Sequence, residues 1–268
     1  YMNFSESSDW SFNGASLGGD NWSIAALTGI NATTTGNITL TGMGLTNSNL
    51  TGSSVSLNGD GNASLTVTNT TLNATTGDVS LSANVANGNA LVVSGSNITA
   101  GRDIILTGTA KAGEGYGVSL TNGNMTATGN ISVTGTGWDS KQGALNVNGG
   151  NFSAQNTVLE GTAGRNNVGA KLAGNINVTQ GNLSVTGTIH HLNNGPFTGL
   201  LAGSGLNVNV SQGNLSLTGQ VLKEDGKDAS GNTVGLNLTN AILSAEHASL
   251  KGSSANSGSG FILNNVTL

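Results

Sequence analysis

GNITLTG, at Gly36 to Gly42, returns as GNISVTG at Gly129 to Gly135, as GNLSVTG at Gly181 to Gly187 and as GNLSLTG at Gly213 to Gly219. Each copy places two apolar residues two apart, flanks them with Ser or Thr, is entered through Gly-Asn and is left through Thr-Gly. Alternation at that period is the mark of a half-buried β-strand between two turns. Its recurrence along the chain defines a repeat architecture before any single residue is weighed.

Working outward from the phrase, three short strands fall in each repeat. One coil reads Val118/Leu120, Met125/Ala127 and Ile131/Val133, and the next reads Leu145/Val147, Phe152/Ala154 and Thr157/Leu159. First strands recur at Leu91, Val118, Leu145 and Ala170, which are 27, 27 and 25 residues apart. Three strands per turn at this period predict an all-β parallel β-helix with coils of about 25–27 residues, stacked at about 4.8 Å. Over this length the stack would hold roughly nine or ten coils. The Gly-Asn entry reads as a tight corner, because both residues tolerate φ > 0. An isolated coil buries too little to offset the entropy of ordering it, so stability belongs to the stack.

Composition agrees with that class. Of 268 residues only 8% are Asp, Glu, Lys or Arg, 43 are glycine, one is proline and none is cysteine. Such a glycine content would suit a disordered chain, but the alternating Val, Ile and Thr are those of strands. A net charge of −5 supplies no basic stripe for nucleic acid. No apolar run approaches the length of a membrane span. Five of the ten aromatic residues (Tyr1, Phe4, Trp10, Phe12 and Trp22) lie in the first 22 positions, where the coil pattern fits poorly. Residues 1–23 therefore read as an irregular segment or partial cap, and residues 24–268 as the β-helix with loop insertions on one edge.

The loops follow the third strand. They read TAKAGEGYG (Thr109 to Gly117), TGWDSKQGA (Thr136 to Ala144), TAGRNNVG (Thr162 to Gly169), TIHHLNNGPFTG (Thr188 to Gly199) and QVLKEDGKDASGNTVG (Gln220 to Gly235). All grow from one corner of the triangular section, and variation gathered on one face of a solenoid marks its binding face. Tyr116, Trp138, Lys141, Arg165, His190, His191 and Phe197 are the candidate partner-binding residues there, with Trp138, Lys141 and Tyr116 the leading group. Exposed aromatic rings beside hydrogen-bonding groups suit sugar rings or protein partners.

Signals for chemistry are weak. His190 and His191 are adjacent and point apart on an extended segment, and no HxH or HExxH spacing is present. The cluster Lys223 to Asp228 lacks the spacing of a calcium loop and reads as a solvated tip. Clustered carboxylates of the kind a polysaccharide-cleaving β-helix would need are missing from the strand faces. No catalytic residue, metal or cofactor is expected. Asn-x-Ser/Thr triplets such as those at Asn37, Asn97 and Asn130 follow from the repeat itself. Rows of Thr suggest an ice-binding array, but the TxT motifs are not expected to align into a two-column grid.

The phrases GNISVTGTG, ITAGRDIILTGTA and GNLSVTGT resemble the repeats of filamentous-haemagglutinin-like exoproteins, with ITAGRD and the strand after it (Ile98 to Leu106) the nearest match. The resemblance covers roughly residues 24 to 268. It implies a right-handed β-helix, secreted by a two-partner or related type V route through an outer-membrane transporter of a Gram-negative bacterium. It further implies a monomeric adhesin rod, secreted or on the cell surface, that attaches to a host glycan or protein receptor and serves virulence. The expectation is thus a non-enzymatic adhesin segment. A passive spacer of a larger exoprotein, such as a contact-dependent inhibition effector, is the alternative, and a polysaccharide-active enzyme a distant third.

Overall fold

Ile38, Val55, Val79, Ile104, Ile131 and Thr157 lie one above another on successive coils, every pairing between them parallel. The computed structural model in which they do so describes residues 2–6, 8–13, 26–59, 63–139, 141–164, 167–190, 196–222, 232–255 and 258–268. Two further ladders complete the section. The first face stacks Leu91, Val118, Leu145, Ala170, Leu200 and Leu236, and the second stacks Asn97, Asn124 and Asn151 with their neighbours. Strands make up most of the described residues and no helix occurs among them, so the protein is an all-β parallel β-solenoid with three strands per coil.

The inward residues form one continuous core. Val118, Leu120, Met125, Ala127, Ile131 and Val133 are all buried, as the alternation requires. The polar residues between them form ladders of their own. Asn124 Nδ2 donates to Asn97 Oδ1 at 2.8 Å, Asn151 to Asn124 at 2.6 Å and Asn177 to Asn151 at 3.1 Å. A buried file of hydroxyls ties the early coils together. Ser48, Thr70 and Ser96 each donate to the carbonyl two residues earlier, and each accepts a backbone N–H from the preceding coil.

Coil length varies more than the repeat suggests. The rung Leu27 to Leu45 spans 18 residues, Leu91 to Val118 spans 27, and Leu200 to Leu236 spans 36. The rungs stay in register, so the difference is taken up in the connections. Where there is no loop, in the coil at Ile38–Thr41, Met43 turns into the core at 1% exposure. The stack also begins before residue 24. Met2–Glu6 pairs with Ile30–Thr34, and Trp10–Asn13 pairs with Ile38–Thr41. Trp10 and Phe12, with ring centroids 5.9 Å apart, take the places that Ile38 and Leu40 hold one coil on. Residues 14–25 lie outside the described residues.

The Gly-Asn corner works differently from its reading. The left-handed residues sit at the preceding corner, between the first and second faces, as Gly29, Asn47, Asn69, Gly95 and Asn122, with φ from 47° to 69°. Gly36 and Gly129 do not have positive φ; a Cβ on Gly129 would meet Asp103 Oδ1 at 2.2 Å, and one on Gly36 would meet the amide nitrogen of Asp9 at 2.5 Å. Glycine is favoured there by the closeness of the preceding coil, although Gly181 and Gly213 do adopt positive φ.

Candidate functional site

The Thr-Gly exit turns at Gly42, where φ is 76°, but not in the later coils. From Val79–Asn87 onward the third strand runs straight past the corner, as in Ile104–Ala112 and Ile131–Gly137, and its rungs continue beyond the glycine. The chain returning from each loop crosses directly behind that glycine. A Cβ on Gly108 would lie 1.9 Å from Gly117 O, on Gly187 2.0 Å from Gly199 O, and on Gly219 2.0 Å from Gly235 O. The close crossing, glycine on glycine in these three cases and Gly135 on Ala144 at the Trp138 loop, therefore pinches the base of a loop shut. Two backbones approach there more closely than any side chain allows.

Between the exit strand and the returning chain lies a second, small apolar cluster of Ala144, Ala163, Ile189, Phe197, Val221 and Ala255. Phe197 is 1% exposed in it and is unavailable to a partner, contrary to expectation. It belongs to the strand Phe197–Ala202, whose inward face fills the wedge behind the exit strands. Arg165, His191 and the charged cluster Lys223 to Asp228 lie outside the described residues.

The loops of two neighbouring coils do come together. Asp139 donates its backbone N–H to Gly113 O at 3.2 Å, Gly117 donates to Ala144 O at 2.9 Å, and Lys141 is ion-paired with Glu114 across the coils. Glu114 raises the Lys141 pKa above its ordinary value, by hydrogen bond first and charge second, with Asp139 adding to the effect. Tyr116 is half-buried in the chain returning from the first of these loops; its backbone accepts from Ala90 N–H at 2.9 Å and donates to Asn89 Oδ1 at 2.9 Å. Trp138 is 38% exposed on the outer column and lies over Gly164 of the next coil, where a Cβ would meet its ring at 2.3 Å. His190, exposed, follows on the same column one coil further, its N–H bonded to Ala163 O at 3.1 Å. Trp138, Lys141 and His190 thus share one edge, and Tyr116 is held by its backbone to Asn89 and Ala90 of the coil before. Glu114 and Gly164 complete the group, and neither stands out in the sequence, since their roles appear only when two coils are superposed.

The threonine motifs align, contrary to the reading of the sequence. Thr107, Thr134, Glu160, Thr186 and Thr218 form one outward column, and Thr109, Thr136, Thr162, Thr188 and Gln220 form the next. Glu160 interrupts the first, and Gln220 Nε2 covers Thr188 Oγ1 at 2.9 Å, so the two columns do not make a clean hydroxyl plane. No group of three or more His, Asp or Glu side chains that could hold a metal occurs among the described residues. No helix among them is long and apolar enough to cross a membrane.

Comparison with protein-family models, with curated proteins and with solved structures finds no match to this chain. What the rungs define is a class, a parallel β-solenoid whose loops are pinched onto one edge.

Proposed function

We propose that this chain is an adhesive segment of a secreted or surface-displayed bacterial exoprotein, binding a host glycan or protein receptor through its loop-bearing edge. The observation that carries the reading is the seat of Trp138. A glycine in the next coil leaves room for the indole to lie against it while the residue stays partly exposed, in the loop that pairs Lys141 with Glu114 and on the same column as His190. An aromatic face flanked by charged and hydrogen-bonding groups suits a sugar ring or a protein anchor. The resemblance of the repeat phrases to filamentous-haemagglutinin-like exoproteins supports the secretion route and the rod's display. A binding protein of this design needs no catalytic group.

A passive spacer is the second reading, and the Asn ladders favour it. Their side chains are spent on one another, which stiffens a rod and offers little to a partner. Glycan-array and cell-binding measurements on the chain and on Trp138→Ala separate the two. Adhesion through this edge requires binding by the parent and at least a tenfold loss in the variant, the scale of one buried aromatic anchor. Equal binding by both would refute the edge, and no binding by the parent would favour the spacer.

A further inference from the structure

A second feature lies at a different corner of the section, between the second and third faces. Three residues turn that corner in the coil at Ile30 (Thr35 to Asn37) and in the coil at Ile98 (Gly101 to Asp103), and four do so between Ala74 and Val79. In the coil between them only Ser53 and Ser54 connect Gly52 to Val55. The rungs on either side remain in register, so the short corner is drawn in and its neighbours stand proud of it. The result is a groove of about 440 Å³ with Asn37 on one side, Ser53 and Ser54 in the recess, and Thr76, Asp78 and Arg102 on the other side.

The chemistry of that groove is specific. Ser53 and Ser54 both donate to Asn37 Oδ1 at 2.6 Å. Asp78 Oδ1 accepts the backbone N–H of Asp103 at 3.0 Å and faces Arg102 Nε at 3.7 Å. The carboxylate and guanidinium cancel in formal charge, so an anionic ligand meets no unopposed cation. Val55, the one aliphatic residue of the lining, turns its side chain into the core and is fully buried, so an apolar ligand finds no aliphatic side chain to contact. A neutral polyol fits both conditions, since each of its hydroxyls donates and accepts. The lining offers the Asp78 carboxylate as an acceptor, the Arg102 guanidinium and the Asn37 amide N–H groups as donors, and the hydroxyl oxygens of Ser53 and Ser54, whose protons go to Asn37, as further acceptors. The volume falls within the range of small-molecule sites.

We propose that this groove is a subsite for a neutral saccharide, independent of the Trp138 edge. The test is an amide NMR titration of the chain with methyl glycosides of glucose, galactose and mannose, and with the matching uronates. The expected result is saturable shifts at Ser53 to Ser56 and at Gly77 and Asp78 with at least one neutral glycoside. Arg102→Gln and Asp78→Asn should each weaken that binding at least tenfold, with Trp138→Ala leaving it unchanged. Asp78→Asn keeps an Oδ1 to accept the Asp103 N–H, so the corner remains formed, and unshifted amides elsewhere verify this. The proposal is overturned by an absence of shifts with every neutral glycoside, by tighter binding of the uronates, or by undiminished binding in both groove variants. Loss of binding in Trp138→Ala would also overturn it, whereas failure of the Trp138 edge leaves this groove untouched.

Discussion

Replacing Gly187 by alanine should destabilise the rod around the fourth loop by about 3 kcal/mol, the upper end of ordinary overpacking. The added Cβ would lie 2.0 Å from Gly199 O, 2.7 Å from Gly199 C and 2.9 Å from Ala170 N, where ordinary contact begins at 3.4 Å. All three neighbours are backbone atoms held in ladders, so none can swing aside as the end of a side chain would. Relief requires the returning strand Phe197–Ala202 to shift outward, which strains its rung from Ala170 to Leu200 and opens the cluster of Ile189 and Phe197. Each buried backbone group left unpaired costs about 1–3 kcal/mol, so one broken rung is enough to reach the stated magnitude. Gly123→Ala is the contrast. Its nearest heavy atoms would be at 3.5 and 3.7 Å and its φ is not positive, so a gain of about 0.4–1 kcal/mol is expected from the unfolded state. Urea unfolding followed by far-UV circular dichroism gives both values. Because a solenoid's stability is a sum of local and nearest-neighbour contributions, amide exchange at Gly187 to Ile189 and Phe197 to Leu201 should accelerate first. A Gly187→Ala protein within about 0.5 kcal/mol of its parent, with unchanged exchange there, would refute the crossing as the origin of the Thr-Gly exit.

Thr157 stands on the third-face rung between Ile131 and Leu183, 1% exposed, and its hydroxyl has no hydrogen-bond partner. Thr157→Val should raise stability by about 1–2 kcal/mol, since it removes a desolvated hydroxyl at constant volume, and a lower urea midpoint would contradict this. Lys141 should titrate above the ordinary lysine value of 10.5, because Glu114 favours its charged form. A raised folded-state pKa means that, with Glu114 ionised, the contribution is complete below the unfolded lysine value and is lost as pH climbs through the folded one, so it is present at neutral pH and lost in alkali. NMR titration of the Lys141 side chain should show its midpoint fall in Glu114→Gln, and an unmoved midpoint would exclude Glu114 as the cause.

The strands were legible because burial in a sheet has a period of two and the repeat writes it without interruption; Ile131 and Val133 are inward wherever the phrase begins. The corners were less legible, because glycine serves two purposes that a single letter does not separate. At Gly95 it supplies a left-handed φ, which Asn69 and Asn122 supply equally well. At Gly129 it supplies clearance, which asparagine cannot. The buried hydroxyls of Ser48, Thr70 and Ser96 were hidden for a related reason. Ser and Thr also fill the outward positions, and only the stacked backbone N–H groups make a buried hydroxyl favourable. In the site, Trp138 and Phe197 look alike as loop aromatics. Parity tells them apart once the crossing is known. Phe197 is two residues from Gly199 and shares its inward face, whereas Trp138 is three from Gly135 and faces out.

Register constrains a parallel solenoid in a way that explains where both candidate surfaces lie. A strand cannot gain or lose one residue without turning the side chains beyond it to the opposite face, so the ladders vary little, the shift that pairs Ser153 with Gln180 directly after Phe152 with Val178 being an exception. Corner length is the remaining freedom. Lengthening the corner after the third strand produces the loops, and the glycine crossings isolate them, so their sequence can change without reaching the core. Shortening the corner at Ser53 and Ser54 produces the groove, with no change in the rungs above or below it. The two surfaces are opposite outcomes of the same constraint, which is why one is aromatic, charged and projecting while the other is hydroxyl-lined, neutral and recessed.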